Sequence, residues 1–320
     1  MKIKSELDLY RMIAKKPRHP DALVGIGDDC AVIRGSRGKY LVTTDMIVEG
    51  DHFSLDYFKP HEIGIKAMES NVSDVCAMGG KPLFAFVSVS LKPGASEKFI
   101  REFFRGLQMS CRRHRIDLLG GDTTHGSLMV VNVTLIGIME GKQKPVLRSG
   151  ARTGDLIFVT GKLGASTAGL KLFQRKLPGH AFVKRKHTQP SCRSDVSGKI
   201  AKMANAMEDV SDGLASEVRN ICLASGKGAI IYGERVPIDA RTRQAAAALG
   251  LSALDFALFG GEDFELVYCV PKARMREAQK YGTLVGEITG QKGKVFLEAS
   301  GRLTLLRKFG YDHFAAKQQA

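Results

Sequence analysis

Aspartate stands beside glycine or a small hydroxyl residue in five separate segments of the sequence. A single aspartate of this kind usually caps a turn or a helix, because its side chain accepts nearby backbone N–H groups. Five such segments in one chain exceed that need, and carboxylates flanked by hydroxyls are the oxygen ligands that magnesium prefers. The pattern predicts a metal-dependent site for a polyanion, with its acids in GIGDDC, TTD, NVSD, GGDTT and EDVSDG: Asp28, Asp29, Asp45, Asp74, Asp122, Asp209 and Asp212.

Three other segments could contact an anionic substrate. FGGEDFEL places Glu262 and Asp263 after two glycines at the start of a strand, although a solvated acid pair in a turn is an equal alternative. Arg148 lies in the loop LRSGA, where a planar guanidinium could bind phosphate in bidentate fashion. An isolated arginine is more often a surface charge. His52 follows the TTD segment, and a lone histidine is usually structural.

The sequence lacks the motifs of several established classes of enzyme. It contains no G-x-x-x-x-G-K-[ST], which excludes a P-loop. The segment HRID at His114 lacks the rest of a protein-kinase catalytic loop, and no D-F-G follows it. GIGDDC does not match G-x-G-x-x-G, and no G-x-S-x-G occurs. Neither a dinucleotide-binding fold nor a hydrolase nucleophile elbow is therefore supported.

Length and composition set the broad class of protein. The 320 residues allow one large domain or two domains of ordinary size. No run of about 18 apolar residues occurs, and the start MKIKSELDLY lacks the apolar core of a signal peptide. We therefore expect a cytoplasmic protein with no membrane partner. The six cysteines show no C-x-x-C spacing, which predicts buried free thiols rather than a zinc cluster or disulfides.

The formal net charge of +15 raises the alternative of nucleic-acid binding. Much of the excess is local, because residues 171–202 carry nine lysines and arginines against one acid, Asp195. Only Phe173 and Phe182 lie among these charges, so a platform for stacking bases is not evident. A solvated basic face is the simpler interpretation, followed by attraction of an anionic substrate. We expect no nucleic-acid partner.

Mixed strands and helices must position these segments. Apolar residues at helical spacing predict a helix in HEIGIKAMESNVSDVCAMGG that ends at Gly79 and Gly80, and Ser96 is predicted to cap a second helix. Strands are predicted in LFAFVSVSL, LMVVNVTLIGIME, LIFVTG, FELVYCV and TLVGEI, and a further helix in SDGLASEVRNICLAS. The polar segment 140–155, which Pro145 interrupts, is the predicted domain junction.

Eight segments, in this order along the chain, resemble the thiamine-phosphate kinase family: GIGDDCAVI, TTDMIVEGDHF, NVSDVCAMGGKP, GGDTT, RSGARTGD, DVSDGL, GGEDFEL and GYDHF. Each motif alone is weak, but the ordered set is specific and spans nearly the whole chain. The family belongs to the aminoimidazole ribonucleotide synthetase-like superfamily. The resemblance implies an α/β (α+β) fold of two domains. Residues 1–143 would bind metal and ATP and form a homodimer, and residues 144–320 would close over nucleotide and substrate.

The resemblance also implies the reaction. Thiamine phosphate takes the γ-phosphoryl group of ATP directly, without a covalent enzyme intermediate, and thiamine diphosphate and ADP form. Several magnesium ions would offset the repulsion between the two polyanions, and potassium is left open as a further cation. No strong general base is needed, because the acceptor phosphate is largely ionised near neutral pH.

The family motifs imply roles for particular residues of this chain. The positions that match catalytic acids are Asp45, Asp74, Asp122 and Asp212. The positions that match metal ligands are Asp29, Thr43, Thr44, Asp45, Asp74, Asp122, Asp209 and Asp212, with Asp28 acting through water. The positions that match ATP contacts are Phe104, Gly121, Asp122, Arg148 and Ser211. The positions that match contacts with thiamine phosphate are His52, Glu262 and Tyr311.

The sequence departs from the family pattern at Phe264, where tyrosine is usual. Another ATP-dependent synthetase of the same superfamily is the nearest alternative function. Selenophosphate synthetase would carry a reactive cysteine or selenocysteine in its N-terminal stretch, but no cysteine precedes Cys30 here. The hydrogenase-maturation relative would end in a reactive cysteine, whereas this chain ends AAKQQA. The segments VEGDHF and GYDHF argue against the purine-pathway synthetase. A basic nucleic-acid-binding protein whose acids hold structural calcium is the more distant alternative.

Overall fold

The structure is a computed structural model that describes residues 20–24, 28–36, 38–140 and 142–311. Residues 25–27 of GIGDDC and 312–314 of GYDHF lie outside the described residues. The described helices are α1 (Pro60–Ala77), α2 (Glu97–His114), α3 (Ala165–Gln174), α4 (Ala181–Thr188), α5 (Ser197–Ile200), α6 (Leu214–Ser225), α7 (Ala240–Leu249), α8 (Ala253–Phe259) and α9 (Met275–Ala278).

The described strands are β1 (Ala22–Val24), β2 (Ala31–Gly35), β3 (Gly38–Val48), β4 (Lys81–Leu91), β5 (Asp117–His125), β6 (Val130–Glu140), β7 (Leu156–Val159), β8 (Ala206–Asp209), β9 (Gly228–Tyr232), β10 (Leu266–Val270), β11 (Thr283–Thr289), β12 (Val295–Ala299) and β13 (Arg302–Leu305). They form two sheets, and the first ends before the second begins along the chain. Over the same residues, no helix is both long and apolar enough to cross a membrane.

The N-terminal sheet has six described strands in the order β1-β2-β3-β6-β4-β5. Neighbouring strands are antiparallel, except for the parallel pair β4 and β5. Helices α1 and α2 cover one face, where Val87 and Val133 join an apolar core with Met68 of α1. The opposite face leaves Met46 and Phe86 exposed. The sheet is therefore covered on one side only within a single chain.

The C-terminal sheet has seven described strands in the order β13-β12-β9-β11-β7-β10-β8. Every residue of β7 and β10 is buried. Ile157 and Val159 of β7 pack into one apolar cluster, whereas Leu156 and Phe158 pack into another on the opposite face. Burial on both faces explains why LIFV is an uninterrupted apolar run instead of an alternating one.

The predicted helices and strands are confirmed, with differences at two of their ends. The Ser96 side chain accepts a hydrogen bond from the Phe99 N–H at 3.2 Å, as the predicted cap requires. Helix α6 begins at Leu214 instead of Ser211, because Gly213 has a φ of 117° that a helix does not allow. Strand β10 begins after Phe264, whose φ of 49° is left-handed. The six cysteines are free and buried, as predicted.

Two glycines let helices α1 and α2 cross at short range. A Cβ atom at Gly64 would overlap the backbone carbonyl of Phe103, and one at Gly106 would overlap the carbonyl of His61. A larger residue on either helix would force the helices apart. The position of α1 over the N-terminal sheet therefore depends on these two residues.

We predict that Gly106→Ala lowers the free energy of unfolding by about 1–3 kcal/mol, because overpacking outweighs the helical preference of alanine. Gly198→Ala is the matched control, since a Cβ there would meet no atom within 4 Å. Urea denaturation followed by circular dichroism measures both variants. Equal unfolding midpoints for Gly106→Ala and the control would contradict the prediction.

Candidate active site

Helix α1 is buried along most of its length, although it carries many polar side chains. It packs against β3 and β6 of the N-terminal sheet and against β8 of the C-terminal sheet. Buried polar groups need hydrogen-bond partners, so the helix draws partners from both sheets. The Ser73 hydroxyl, for example, donates to an Asp209 carboxylate oxygen at 2.6 Å. The buried polar side chains of α1 are Glu62, Lys66, Glu69, Ser70, Asn71 and Ser73.

Three carboxylates from three different elements meet beside this helix. One oxygen each from Asp29, Asp74 and Asp209 lies within 4.8 Å of the other two. Asp29 follows β1, Asp74 is on α1, and Asp209 ends β8. The Thr43 hydroxyl donates to Asp74 at 2.5 Å. These three aspartates, which we call the acidic cluster, join residues that are 180 positions apart in the sequence.

Burial and repulsion from neighbouring carboxylates disfavour ionisation of Asp74 and Asp209. Burial and the neighbouring carboxylates of Asp45, Asp209 and Asp29 raise the pKa of Asp74 well above its usual range. Burial and the Asp29 carboxylate raise the pKa of Asp209 to about 8. The second oxygen of Asp29, Oδ2, is buried and has no hydrogen-bond partner. Clustered carboxylate oxygens with an unpartnered buried member fit a hard divalent cation such as magnesium.

Asp45 lies beside the acidic cluster on the helix-facing side of β3. Its backbone N–H donates to the Asn71 side chain of α1 at 3.1 Å, and burial raises the pKa of its carboxyl. Thr44 faces the opposite way, because neighbouring strand residues alternate between the two faces. Its hydroxyl contacts Thr134 at 3.1 Å and is exposed. The structure thus brings Asp45 and Thr43 to the cluster but not Thr44.

Asp122 lies on the exposed edge strand β5 and is also remote from the acidic cluster within one chain. It pairs in register with Ser88 of β4, on the open face of the sheet. Its carboxylate accepts the Thr123 N–H at 2.9 Å. Gly121, the preceding residue, lies so close to the Val87 carbonyl that a Cβ atom would overlap it. The sequence predicts the GGDTT segment as part of the site, but it does not predict which face of the sheet Asp122 occupies.

Arg148 connects the acidic cluster to further buried acids. Its guanidinium lies 2.8 Å from Asp29 and 3.0 Å from Glu208, and its backbone N–H is 3.4 Å from the Asp28 carboxylate. Burial and the Asp29 charge raise the pKa of Asp28 to about 7. The guanidinium Nε is buried without a partner. Arg148 is therefore a fixed cation beside the acids, and its side chain is 23% exposed.

Asp212 and Ser211 lie in the turn between β8 and α6. The Asp212 N–H donates to Glu217 at 2.7 Å, and the Ser211 carbonyl accepts the Glu262 N–H at 2.7 Å. The turn therefore connects the acids that follow β8 with the loop that carries Glu262. Both residues are half-buried.

Two of the three residues predicted to bind thiamine phosphate, His52 and Glu262, contact Lys66 of α1. The buried Lys66 ammonium donates to the His52 carbonyl at 2.5 Å and lies 2.6 Å from Glu262. Burial acts to raise the pKa of Glu262, but the charges and hydrogen bonds of Lys66 and His187 together outweigh it and lower that pKa to about 2. The Tyr311 hydroxyl donates to Asp51, the neighbour of His52, at 2.7 Å.

Phe104, like the predicted ATP contacts on β5, lies away from the acidic cluster. It is half-buried on α2, and its ring packs edge-to-face against Phe103 with centroids 5.1 Å apart. This contact belongs to the N-terminal apolar core, so the structure does not bring Phe104 to the acidic cluster.

Sequence reasoning missed several buried polar residues of the site. Lys66 and Ser73 are on α1, where Glu62, Lys66, Glu69 and Ser73 repeat at helical spacing. A polar stripe on an otherwise buried helix is the signal that could have revealed them. Glu208 and Glu217 gave no such signal. Asp263 caps α3 instead of facing solvent, since it accepts the N–H groups of Gly164 and Ser166.

Comparison with known proteins identifies relatives of this chain. Residues 27–139 match the AIR synthase related protein, N-terminal domain, and residues 152–298 match the AIR synthase related protein, C-terminal domain. Thiamine-monophosphate kinase of Bacillus subtilis (strain 168) is 35% identical over 328 residues, which cover 97% of this chain and 99% of that protein.

Solved structures are similar over nearly the whole chain. AaThiL complexed with AMPPCP and TMP has a TM-score of 0.88 and 31% identity, and the match covers 98% of this chain and 99% of that one. Hydrogenase maturation protein HypE has a TM-score of 0.73 over 94% of this chain and 97% of that one, but only 19% identity. The likeness to HypE shows a shared fold alone.

The raised pKa values predict how the metal-free protein responds to pH. Folding raises the pKa of Asp209 from its unfolded value near 3.9 to about 8, so the folded state binds more protons between those values. The stability contribution of this carboxyl is therefore lost as the pH rises from about 4 to 8. Magnesium should restore it at high pH by replacing the protons.

We predict that Asp74→Asn raises the melting temperature in EDTA at pH 8.5 and abolishes most of the stabilisation by magnesium. The reason is that the amide removes one of the repelling charges together with a metal ligand. Differential scanning calorimetry with EDTA or magnesium chloride measures both effects. Asp56→Asn, at an exposed position, is the control and should behave like the wild type. An undiminished magnesium response in Asp74→Asn would contradict the assignment.

Proposed function

The chain belongs to the thiamine-monophosphate kinase family, and we propose that it phosphorylates thiamine phosphate with ATP. An oxygen of thiamine phosphate bonds to the γ-phosphorus of ATP, in line with the bond to ADP that breaks. The products are thiamine diphosphate and ADP, so this is the last step of thiamine diphosphate biosynthesis. The observation that carries the proposal is the acidic cluster beside Arg148. AaThiL, a relative of similar structure, was solved with AMPPCP and TMP.

Magnesium is the proposed metal cofactor, because the donors are clustered carboxylate oxygens. Asp29, Asp74 and Asp209 would hold it, with Asp45 and Asp28 nearby. Bound magnesium would neutralise phosphate charge and polarise the γ-phosphoryl group. Asp122 and Thr44 belong to the same proposal as ligands from the other face of the sheet. Potassium is a further proposed cation, to be tested by replacing it with sodium in the assay below.

The chain's own residues would hold and orient the phosphates. Arg148 is fixed by Asp29 and Glu208, so its guanidinium can bind a phosphate without losing much side-chain freedom. Ser211 would contact ATP from the turn before α6. Asp212, in the same turn, would be a catalytic residue and a metal ligand. The remaining proposed ATP contacts are Phe104 and Gly121. The acceptor phosphate is already ionised and requires no protein base.

Thiamine phosphate would bind where His52, Glu262 and Tyr311 approach one another. Lys66 fixes the first two, because it contacts the His52 carbonyl and the Glu262 carboxylate at once. The low pKa of Glu262 keeps it ionised at neutral pH, and its charge would attract the cationic thiazolium ring of thiamine. The site would therefore recognise thiamine phosphate by the positive charge of its thiazolium ring.

The assembly is also part of the proposal. The open face of the N-terminal sheet exposes Met46 and Phe86 beside polar residues, and a second copy of the chain would cover it in a homodimer. The proposed domain boundary lies between residues 143 and 144. A cytoplasmic location is proposed from the family resemblance.

The first test measures ADP release from ATP and magnesium, with and without thiamine phosphate. We expect thiamine phosphate to stimulate release, thiamine diphosphate to form, and EDTA to abolish both. Asp45→Asn and Asp122→Asn should each lose at least about 100-fold in kcat while remaining folded, because each removes a charge from a multi-metal site. The exposed control Asp56→Asn should retain activity.

Either of two results would contradict this prediction. Near wild-type turnover in both variants at limiting magnesium would contradict the assignment of Asp45 and Asp122 as metal ligands. ADP release that depends on another acceptor, such as formylglycinamidine ribonucleotide or selenide, would assign the function to a neighbour in the superfamily.

We predict that Glu262→Gln raises the KM for thiamine phosphate by about tenfold or more and leaves the KM for ATP within about threefold. The amide preserves the shape of the side chain but removes the charge that faces thiamine. Steady-state kinetics with each substrate varied in turn separates the two effects. Glu298→Gln, at an exposed position, is the control. Equal changes in both KM values would argue against a role in substrate binding.

A further inference from the structure

A second group of metal-ligating side chains lies buried where α1 and α2 meet the segment between α4 and α5. One ligand atom each from Glu69, His114 and Cys192 lies within 4.8 Å of the other two. His114 Nε2 is 3.0 Å from Glu69 Oε1 and 3.9 Å from Cys192 Sγ. The side chains of Glu69 and His114 are 0% and 2% exposed. The proposed kinase reaction uses none of these residues.

Ser194 indicates which nitrogen of His114 faces this group. Its hydroxyl lies 3.1 Å from Nδ1, the second-nitrogen hydrogen bond that orients metal-ligating imidazoles. With the ring proton on Nδ1, the Nε2 lone pair points at the Glu69 oxygen. A proton on Nε2 that is donated to Glu69, or a metal ion bound to both atoms, can lie between them.

The separations within this group suit a zinc ion. A carboxylate, an imidazole and a thiol are donors that bind zinc, and three protein ligands leave the fourth tetrahedral position open. Ligand atoms around tetrahedral zinc are about 3.3–3.8 Å apart. The separations of 3.0 and 3.9 Å therefore need only small adjustments.

We propose that Glu69, His114 and Cys192 form a binding site for a zinc ion. On binding, the thiol proton and any imidazolium proton leave to solvent, and Zn²⁺ bonds to the Cys192 sulfur, Nε2 and a Glu69 oxygen. The thiolate and the carboxylate together match the charge of the zinc ion, and Arg113 lies 2.8 Å from Glu69.

The zinc ion would join the two halves of the chain. Glu69 belongs to α1 and His114 ends α2, whereas Cys192 follows α4. Hydrogen bonds from the Cys192 N–H to Glu69 and between Ser194 and His114, both at 3.1 Å, already connect these parts. Metal–ligand bonds would strengthen that connection behind the acidic cluster, so zinc should raise the melting temperature.

The experiment titrates Zn²⁺ into the full chain, reduced and stripped of metal, in competition with a chromophoric chelator. Excess magnesium fills the oxygen-ligand sites, so that weak zinc binding at the acidic cluster does not interfere. We expect one tightly bound zinc ion per chain. Substitution with Co²⁺ should give thiolate-to-cobalt charge-transfer absorption, which reports sulfur ligands directly.

Variants separate a ligand site from a structural hydrogen-bond network. Cys192→Ser and His114→Gln should weaken zinc binding by at least about 100-fold. Ser194→Ala, at an exposed position that leaves the fold intact, should weaken it by about tenfold. Cys222→Ala, which removes a buried free thiol elsewhere, should bind zinc like the wild type.

Two outcomes overturn the proposal. The wild-type chain could bind no tight zinc ion, which leaves a proton on Nε2 of His114 that is donated to Glu69. Alternatively, Cys192→Ser and Ser194→Ala could bind zinc as tightly as the wild type, which places the metal elsewhere. Circular dichroism of each variant establishes that a loss of binding is not a loss of folding.

Discussion

The burial of charged groups along helix α1 is the constraint on which the rest of the structure depends. An unpaired buried charge costs several kcal/mol, so each polar residue of this helix requires a partner. The partners come from the C-terminal half of the chain: Lys66 binds Glu262, Glu69 binds the Cys192 N–H, and Ser73 binds Asp209. Correct docking of the two halves and formation of these buried contacts are consequently the same event.

The acidic cluster opposes this docking in the absence of cations. Asp29, Asp74 and Asp209 repel one another, and burial strengthens the repulsion because the surrounding dielectric constant is low. Arg148 supplies one compensating charge, but it is shared with Glu208. Binding of a cation to the proposed site would therefore also stabilise the protein.

The sequence alone predicts the acids of the cluster, because aspartates beside glycine and hydroxyl residues have few purely structural uses in such number. It also predicts most helices and strands from their periodicity. Thr43 and Thr44 could not be separated by motif, since only the register of β3 decides which one faces α1. Lys66 and Glu208 could not be found, because a partner distant in sequence gives each of them its role. The same holds for His114 and for Cys192, which the sequence predicted only as a free thiol.

The loop that carries Glu262 shows how the site keeps an unfavourable backbone. Glu262 and Phe264 both have positive φ angles, which cost about 1–3 kcal/mol each for residues other than glycine. Backbone hydrogen bonds to Ser211 and Val210 hold the loop, and the Lys66 ammonium holds its carboxylate. In this conformation the Glu262 side chain contacts Lys66 of α1 while the chain continues into β10. Because the loop is anchored to both halves, any movement that opens the two halves must also displace Glu262 from Lys66.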